Sequence, residues 1–148
     1  MMGNRNNCGF TLTELMVVVA VIGVLSAIAI PNFINMQIRA KEGEIKSNMH
    51  TTQLSIEDYN VSCTGQYPTS VSGFAPFLPR LHNGSRGFSN PFTNQPEPPI
   101  DGIPASGDIG RVGYTPEIVN GRVISYTIYG YGKEELLELT LGPEVYGN

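Results

Sequence analysis

The chain contains 148 residues with a formal net charge of −4, and its 15% of charged residues is low beside the roughly 25% of an average soluble domain. This length fits one modest domain with an accessory segment. Because 13 acidic residues outnumber 9 basic ones and no basic stripe is visible, the composition argues against a nucleic-acid partner. The 17 glycines and 11 prolines predict a body rich in turns.

An uncharged apolar run covers residues 15–30 near the N-terminus. When it is extended back to Phe10, it contains about 20 residues, which is enough for a helix to cross a bilayer core of about 30 Å. Glu14 is the one carboxylate at the start of this segment. Since ionisable side chains in membrane segments usually mark a function, the pattern predicts a spanning helix with a functional carboxylate near one end.

A secretory signal peptide is the alternative interpretation of this segment, because Ala27-Ile28-Ala29 would supply an A-x-A cleavage site. Three features count against it. Only Arg5 is basic before the run, Glu14 interrupts its start, and the run is longer than the usual length of about 7–15 residues. Helical patterning also continues past Pro31, so a segment that stays with the mature chain is favoured.

Residues 9–33 resemble the cleavage and methylation motif of type IV pilins and type II secretion pseudopilins. The resemblance rests on Gly9-Phe10-Thr11-Leu12-Thr13-Glu14-Leu15, followed by the long apolar run with Pro31 behind it. It implies that a prepilin peptidase cuts between Gly9 and Phe10 on the cytoplasmic side and methylates the new amine of Phe10. Residues 1–9 would then be the leader peptide, and residues 10–33 the transmembrane and filament-core helix.

The residue types of this motif have physical reasons. Gly9 offers no side chain to obstruct a peptidase at the membrane surface. In a filament, Glu14 could pair with the Phe10 amine of a neighbouring subunit. Opposite charges that leave water together cost less than either one alone, so this pair would reward one axial register between subunits and penalise slippage.

The two cysteines are Cys8 and Cys63. A cut after Gly9 would remove Cys8 and leave Cys63 as the single cysteine of the mature chain, without an internal disulfide. For Cys63, a buried structural thiol is the favoured interpretation over a reactive one.

Helical patterning continues through residues 34–60 as an amphipathic segment that we expect to end near Tyr59. Pro31 removes one helix hydrogen bond and, with Gly23 before it, predicts a kink or a local loosening. An apolar stripe on one face predicts the seam on which a globular head packs, and its members are Ile38, Ile45, Met49 and Ile56.

Residues 61–148 predict this globular head. Residues 62–110 are rich in proline and predict mostly loop. Three strands are predicted at residues 111–115, 123–129 and 136–141, since these segments alternate or are β-branched and turn residues separate them. The fold class is therefore α+β, with a long N-terminal helix packed on a C-terminal antiparallel sheet, the ladle shape of the pilin families. Gln66-Tyr67-Pro68-Thr69 and Asn90-Pro91-Phe92 are similar to segments of the major pseudopilin and its pilin relatives.

The sequence contains no enzyme or cofactor pattern that we would defend. His50 and His82 are the only histidines, and neither has ligands at metal-binding spacing. Asp101 and Asp108 could meet around Ca²⁺ in the long loop, as in the pseudopilin relatives, but the D-x-D-x-D pattern is missing. Solvated aspartates are the favoured interpretation.

Two short segments, Asn60-Val61-Ser62 and Asn83-Gly84-Ser85, match the pattern of N-glycosylation acceptors. Such a short pattern recurs by chance.

The sequence thus predicts a structural subunit and not an enzyme. We expect the precursor to lie in the inner (cytoplasmic) membrane and the inner-membrane assembly machinery to add it to identical subunits in a helical filament. An extracellular type IV pilus is preferred, because the long Pro/Gly-rich loop and the Tyr-rich last strands favour a surface-exposed pilin. A periplasmic type II secretion pseudopilus is the alternative, favoured by the lack of a C-terminal disulfide loop. A signal-anchored exported binding protein or enzyme is a remote third possibility.

Overall fold

The structure is a computed structural model that describes residues 9–63, 65–137 and 142. Two compact units follow one another along the chain, Met1–Gln37 and Ile38–Asn148. The elements that define them are given below in chain order.

Helix α1 covers Leu12–Ser62 and contains 51 residues. It continues through Pro31, and next to this proline the side-chain amide of Asn32 donates a hydrogen bond of 3.2 Å to the carbonyl oxygen of Ile28. After the helix end, Gly65 adopts a left-handed φ of 77° and donates its N–H to the carbonyl of Asn60 at 2.9 Å, which satisfies one of the last helix carbonyls. The kink predicted at Pro31 and Gly23 stays a prediction.

The segment predicted as mostly loop contains several short elements. They are α2 at Val71–Phe74, a 3₁₀ turn at Ala75–Phe77, and strands β1 at Phe88–Ser89, β2 at Pro96–Glu97 and β3 at Ile100–Asp101. Strands β1 and β2 pair with each other in an antiparallel arrangement. Elements of two to four residues are too short to show a hydrophobic period, which is why the sequence pattern missed them.

A three-stranded sheet in the order β3-β4-β5 forms the second half of this unit. Strand β4, Val112–Val119, and strand β5, Arg122–Gly130, form an antiparallel hairpin at the two positions where the sequence predicted strands. Strand β3 adds to β4 in a parallel arrangement, so the sheet is mixed. The predicted α+β class with a long N-terminal helix is confirmed.

The third strand predicted, at residues 136–141, lies mostly outside the described residues. Leu136 forms a single antiparallel bridge with Tyr131, and residues 138–141 lie outside the described residues. Gly142 is described and lies beside the backbone carbonyl of Tyr126 on β5. The third strand of the described sheet is β3, which pairs with β4 and which sequence patterning did not predict.

The core of the second unit lies between α1 and the inner face of the β4–β5 hairpin. Three members of the predicted apolar stripe, Ile45, Met49 and Ile56, are fully buried, whereas Ile38 is half-buried. They share this core with buried residues of the short helix, of the position after the 3₁₀ turn and of the sheet: Phe74, Leu78, Tyr114, Tyr126 and Ile128. Gly130 lets the end of β5 approach the helix closely, since a Cβ placed there would lie 2.7 Å from the sulfur of Met49.

Two tyrosine hydroxyl groups join distant parts of this unit. The hydroxyl of Tyr126 donates to Oε1 of Glu57 on α1 at 2.6 Å, and the hydroxyl of Tyr114 donates to the carbonyl of Pro68 at 2.5 Å. Burial raises the pKa of both tyrosines, and for Tyr126 the hydrogen bond to the Glu57 carboxylate raises the pKa further. These bonds hold the sheet against the helix and against the segment that follows it.

Candidate functional site

The described residues of the first unit expose an almost continuous apolar surface. From Phe10 to Met36 the large apolar side chains are exposed, with 81% of Phe10 accessible. Helix α1 includes an 18-residue window with a mean hydropathy of 2.5 and no buried share, and its length and composition are those of a helix that could cross a membrane. A monomeric soluble protein rarely exposes a patch of this size.

The Gly9–Phe10 peptide bond precedes this helix. Both residues are exposed and have no regular secondary structure, and α1 begins two residues after Phe10, at Leu12. A Cβ placed on Gly9 would meet nothing within 4 Å. A peptidase can therefore reach this bond without unwinding the helix, and the rest of the described chain does not require glycine at this position.

Thr11 and Glu14 close the N-terminal end of α1 by a reciprocal pair of interactions. The Oε2 atom of Glu14 accepts hydrogen bonds from the backbone N–H of Thr11 at 2.9 Å and from its hydroxyl at 2.8 Å. In return, the backbone N–H of Glu14 lies 3.2 Å from the Thr11 hydroxyl oxygen, which accepts its hydrogen bond. This is a capping box, which satisfies N–H groups that a helix start leaves without partners.

Sequence reasoning missed this capping role for Glu14. The signal was present, because Thr11-Leu12-Thr13-Glu14 fits the pattern of Ser or Thr followed three positions later by Glu, ahead of an apolar run. In the described part of the chain, both hydrogen bonds that the Glu14 side chain accepts use Oε2. The other carboxylate oxygen, Oε1, is therefore left for a further donor. The pairing of Glu14 with a neighbouring Phe10 amine stays a prediction.

Gly23 and Pro31 lie further along the same exposed surface. A Cβ on Gly23 would meet nothing within 4 Å, so within this chain no side chain packs against the position. The structure brings neither residue together with Gly9, Phe10 or Glu14.

The short segments similar to pseudopilins take part in the fold of the second unit. In the first of them, the ring of Tyr67 packs edge-on against that of Tyr126 at 5.0 Å between centroids, beside the Pro68–Tyr114 hydrogen bond. In the second, Asn90 is 3% exposed, and its Nδ2 donates to the carbonyl of Ile109 at 2.7 Å. The first segment therefore anchors a loop to the sheet, and the second joins two loops to each other.

The two aspartates considered for calcium have separate partners. Asp101 accepts a hydrogen bond of 2.7 Å from the backbone N–H of Val71, whereas Asp108 lies 3.3 Å from the guanidinium of Arg111. Arg111 also lies 3.4 Å from Glu97, so an internal cation already faces the carboxylates of Asp108 and Glu97. Within residues 9–63, 65–137 and 142, no group of three or more His, Cys, Asp or Glu side chains is arranged to hold a metal ion. Cys63 is half-buried just beyond the end of α1.

Comparisons with known proteins agree with the N-terminal geometry. A family model described as the prokaryotic N-terminal methylation motif matches residues 4–30. The type IV major pilin protein PilA of Myxococcus xanthus is 63% identical over 46 residues, which cover 31% of this chain and 21% of that protein. The type IV major fimbrial protein FimA of Dichelobacter nodosus is 47% identical over 49 residues, covering 33% of this chain and 31% of that protein.

A third relative is similar over a longer stretch. The type II secretion system core protein G of Pectobacterium carotovorum subsp. carotovorum is 26% identical over 137 residues, covering 92% of this chain and 76% of that protein. The chain therefore spans less than a third of the length of the two pilins named above and about three quarters of this core protein. No solved structure matches the chain.

The methylation motif and the exposed apolar helix that follows it form an N-terminus of the prepilin type, with a helix long and apolar enough to cross a membrane. The match of the methylation motif and the similarity to type IV pilins and to core proteins G of type II secretion confirm the resemblance noted in the sequence to the type IV pilin and type II secretion pseudopilin family.

Proposed function

We propose that the chain polymerises into a type IV pilus filament after a prepilin peptidase cuts between Gly9 and Phe10 and methylates the amine of Phe10. The observation that carries this proposal is the apolar first part of α1, which is wholly exposed and lies directly behind a capped helix start. A surface of this kind needs lipid around it in a single subunit and other subunits around it in a filament.

In this proposal, the single subunit lies in the bilayer before it joins a filament. A helix satisfies its own backbone groups in lipid, and the capping box supplies partners for groups at its N-terminal end. When the helix moves from lipid into a bundle of subunits, it gains little free energy from the hydrophobic effect, because lipid tails are as apolar as the helix surface. Polar pairs and close side-chain contacts must therefore provide the specificity of assembly.

Glu14 is suited to provide part of that specificity. Its Oε2 accepts both hydrogen bonds from Thr11, so Oε1 can accept a bond from the ammonium group of a neighbouring Phe10 without breaking the capping box. Only one axial offset between two parallel helices brings these two groups together. We therefore assign to Glu14 and Phe10 the register between subunits.

The partners follow from the same scheme. They are identical subunits, a prepilin peptidase at the cytoplasmic face and the assembly machinery of the inner membrane. The match of the methylation motif to residues 4–30 supports peptidase processing, and the exposed Gly9–Phe10 bond is compatible with it. The apolar helix supports residence in the cytoplasmic membrane before assembly. The assembled filament would carry residues 61–148 as a head outside that membrane.

A periplasmic pseudopilus is the second candidate, and one specific observation favours it. Similarity to the core protein G of Pectobacterium carotovorum extends over 92% of this chain, whereas similarity to the PilA of Myxococcus xanthus covers 31%. The extracellular pilus is favoured by the higher identity, 63%, in the segment that would form the filament core. Electron microscopy of material sheared from the cell surface separates the two, because only a pilus is recovered there as filaments.

Intact mass spectrometry of the chain isolated from its own cells tests the processing. We expect a mature chain that begins at Phe10 and carries one methyl group on its amine. A chain that begins at Ile30 would show that signal peptidase removed the apolar segment, and the filament proposal would be lost.

A further inference from the structure

We infer that Asn83 is an acceptor site for an N-linked glycan on the exported head. The inference goes beyond the proposed filament function and rests on it in one respect, because the head must leave the cytoplasm to meet the transferase. The site is the exposed turn around Asn83-Gly84-Ser85, one of the two segments that match the acceptor pattern of Asn, any residue except Pro, then Ser or Thr.

The turn holds Asn83 and Ser85 in contact. Oδ1 of Asn83 accepts hydrogen bonds from the backbone N–H of Ser85 at 3.0 Å and from the hydroxyl of Ser85 at 2.6 Å. Gly84 between them has a φ of 83°, a left-handed conformation that glycine adopts without steric cost. The acceptor amide and the hydroxyl that defines the pattern therefore already face each other before any enzyme binds.

The surrounding backbone presents this turn at the surface. The backbone N–H of Leu81 donates to the carbonyl of Ser85 at 2.8 Å, and an antiparallel bridge joins Arg80 to Arg86 below it. Asn83, Gly84 and Ser85 are all exposed. A closed loop whose tip is free and pre-shaped loses little conformational freedom when it binds an enzyme.

The chemistry of transfer uses the atom that this geometry leaves available. In the described parts of the chain, no hydrogen bond uses Nδ2 of Asn83, while Oδ1 holds both bonds from Ser85. Nδ2 attacks the anomeric carbon of a lipid-pyrophosphate-linked oligosaccharide and forms a C–N bond. The bond from that carbon to the pyrophosphate oxygen breaks, the lipid pyrophosphate leaves with the electron pair, and one Nδ2 proton passes to a carboxylate of the transferase.

The second matching segment, Asn60-Val61-Ser62, lacks these properties and serves as an internal comparison. It forms the last residues of α1, and the backbone carbonyl of Asn60 accepts the Gly65 N–H at 2.9 Å. Side chains two positions apart on a helix do not face each other, so the Ser62 hydroxyl does not meet the Asn60 amide. The same three-residue pattern therefore gives one acceptor and one helical segment that is not an acceptor.

Mass spectrometry of the chain purified from its own cells tests the inference. Trypsin cuts after Arg80 and Arg86 and releases the peptide of residues 81–86, in which Asn83 is the one asparagine. We expect this peptide to carry the mass of a glycan. The variants Asn83→Gln and Ser85→Ala should lose the added mass, whereas Ser85→Thr and Asn60→Gln should retain it.

The N-terminus measured on the same sample separates this inference from the proposed function. A chain that begins at methylated Phe10 and yields only the unmodified peptide overturns the inference and leaves the filament function intact. If the chain is not processed at Phe10, purified chain in detergent is incubated with a single-subunit oligosaccharyltransferase and its lipid-linked oligosaccharide. Glycan on Asn83 and not on Asn60 then supports the inference, and any other result overturns it.

Discussion

Substitution of Ile56 by Ala measures how much the apolar stripe of α1 contributes to the stability of the head. Ile56 is 0% exposed and belongs to the core that α1 shares with the β4–β5 hairpin. The substitution removes three carbon atoms, worth about 0.8 kcal/mol each by transfer. Because the surrounding side chains close the cavity only in part, we expect a total loss of about 2–5 kcal/mol in the free energy of unfolding.

Leu54 provides a matched control on the same helix. It is 66% exposed, two positions before Ile56, and Leu and Ala have similar helix propensities. Leu54→Ala removes the same number of carbon atoms from a surface position. We therefore expect it to change the free energy of unfolding by no more than about 0.5 kcal/mol.

The assay is thermal unfolding of residues 35–148, followed by circular dichroism. We expect this fragment to be soluble, monomeric and free of disulfides, because it keeps the stripe and the sheet and loses the exposed apolar run. For a domain of this size, 1 kcal/mol shifts the melting temperature by about 4 °C, so Ile56→Ala should melt about 8–20 °C below the parent fragment. Equal melting temperatures for Ile56→Ala and Leu54→Ala would refute the assignment of the stripe to the core.

Three further predictions concern the N-terminal site and the tyrosines. Gly9→Val should leave the precursor uncut, which an immunoblot would show as a larger band. Because a Cβ at Gly9 meets nothing within 4 Å, such a band reports on the peptidase and not on folding. Normal trimming would contradict the assigned cut site. Glu14→Gln keeps a capping box but lacks the charge, whereas Glu14→Leu loses both. Immunoblots of the membrane fraction should show that both variants are inserted. Shearing followed by microscopy should show filaments from neither variant. Filaments from the Gln variant alone would show that assembly needs the helix cap and not the charge. The pKa of Tyr126 is raised in the folded head, so the folded head keeps a proton that the unfolded chain releases above about pH 10. The contribution of Tyr126 to the free energy of unfolding is therefore fully present below that pH and falls above it. Denaturant unfolding at several alkaline pH values should show this fall, and it should be smaller in Tyr126→Phe.

The sequence predicted those parts of the molecule in which a long period or a strong motif dominates. The stripe of Ile45, Met49 and Ile56 could be seen because a helix repeats every 3.6 residues and one face of it is buried. The β4–β5 hairpin could be seen because Asn120-Gly121 separates two alternating segments. In both cases the pattern is local in the chain.

Contacts between distant residues could not be predicted in this way. Strand β3 has two residues, and its parallel pairing with β4 depends on where the long loop returns. The hydrogen bond from Asn90 to the carbonyl of Ile109 likewise joins two loops that no periodicity connects. The capping box at Thr11 is different, because its pattern of Thr followed three positions later by Glu is local and visible in the sequence.

The hydrogen bonds of the two buried tyrosines have a consequence for how the head folds. Tyr126 and Glu57 are 69 positions apart, and Tyr114 and Pro68 are 46 positions apart. The ribosome therefore completes the second half of α1 long before it makes the strands that cover it, and contacts of such long sequence separation form slowly. In an exported chain the head stays open to proteases until β5 has crossed the membrane. If the head is exported as proposed, translocation and folding are consecutive steps, and the time between them is when a quality-control protease can remove a defective subunit.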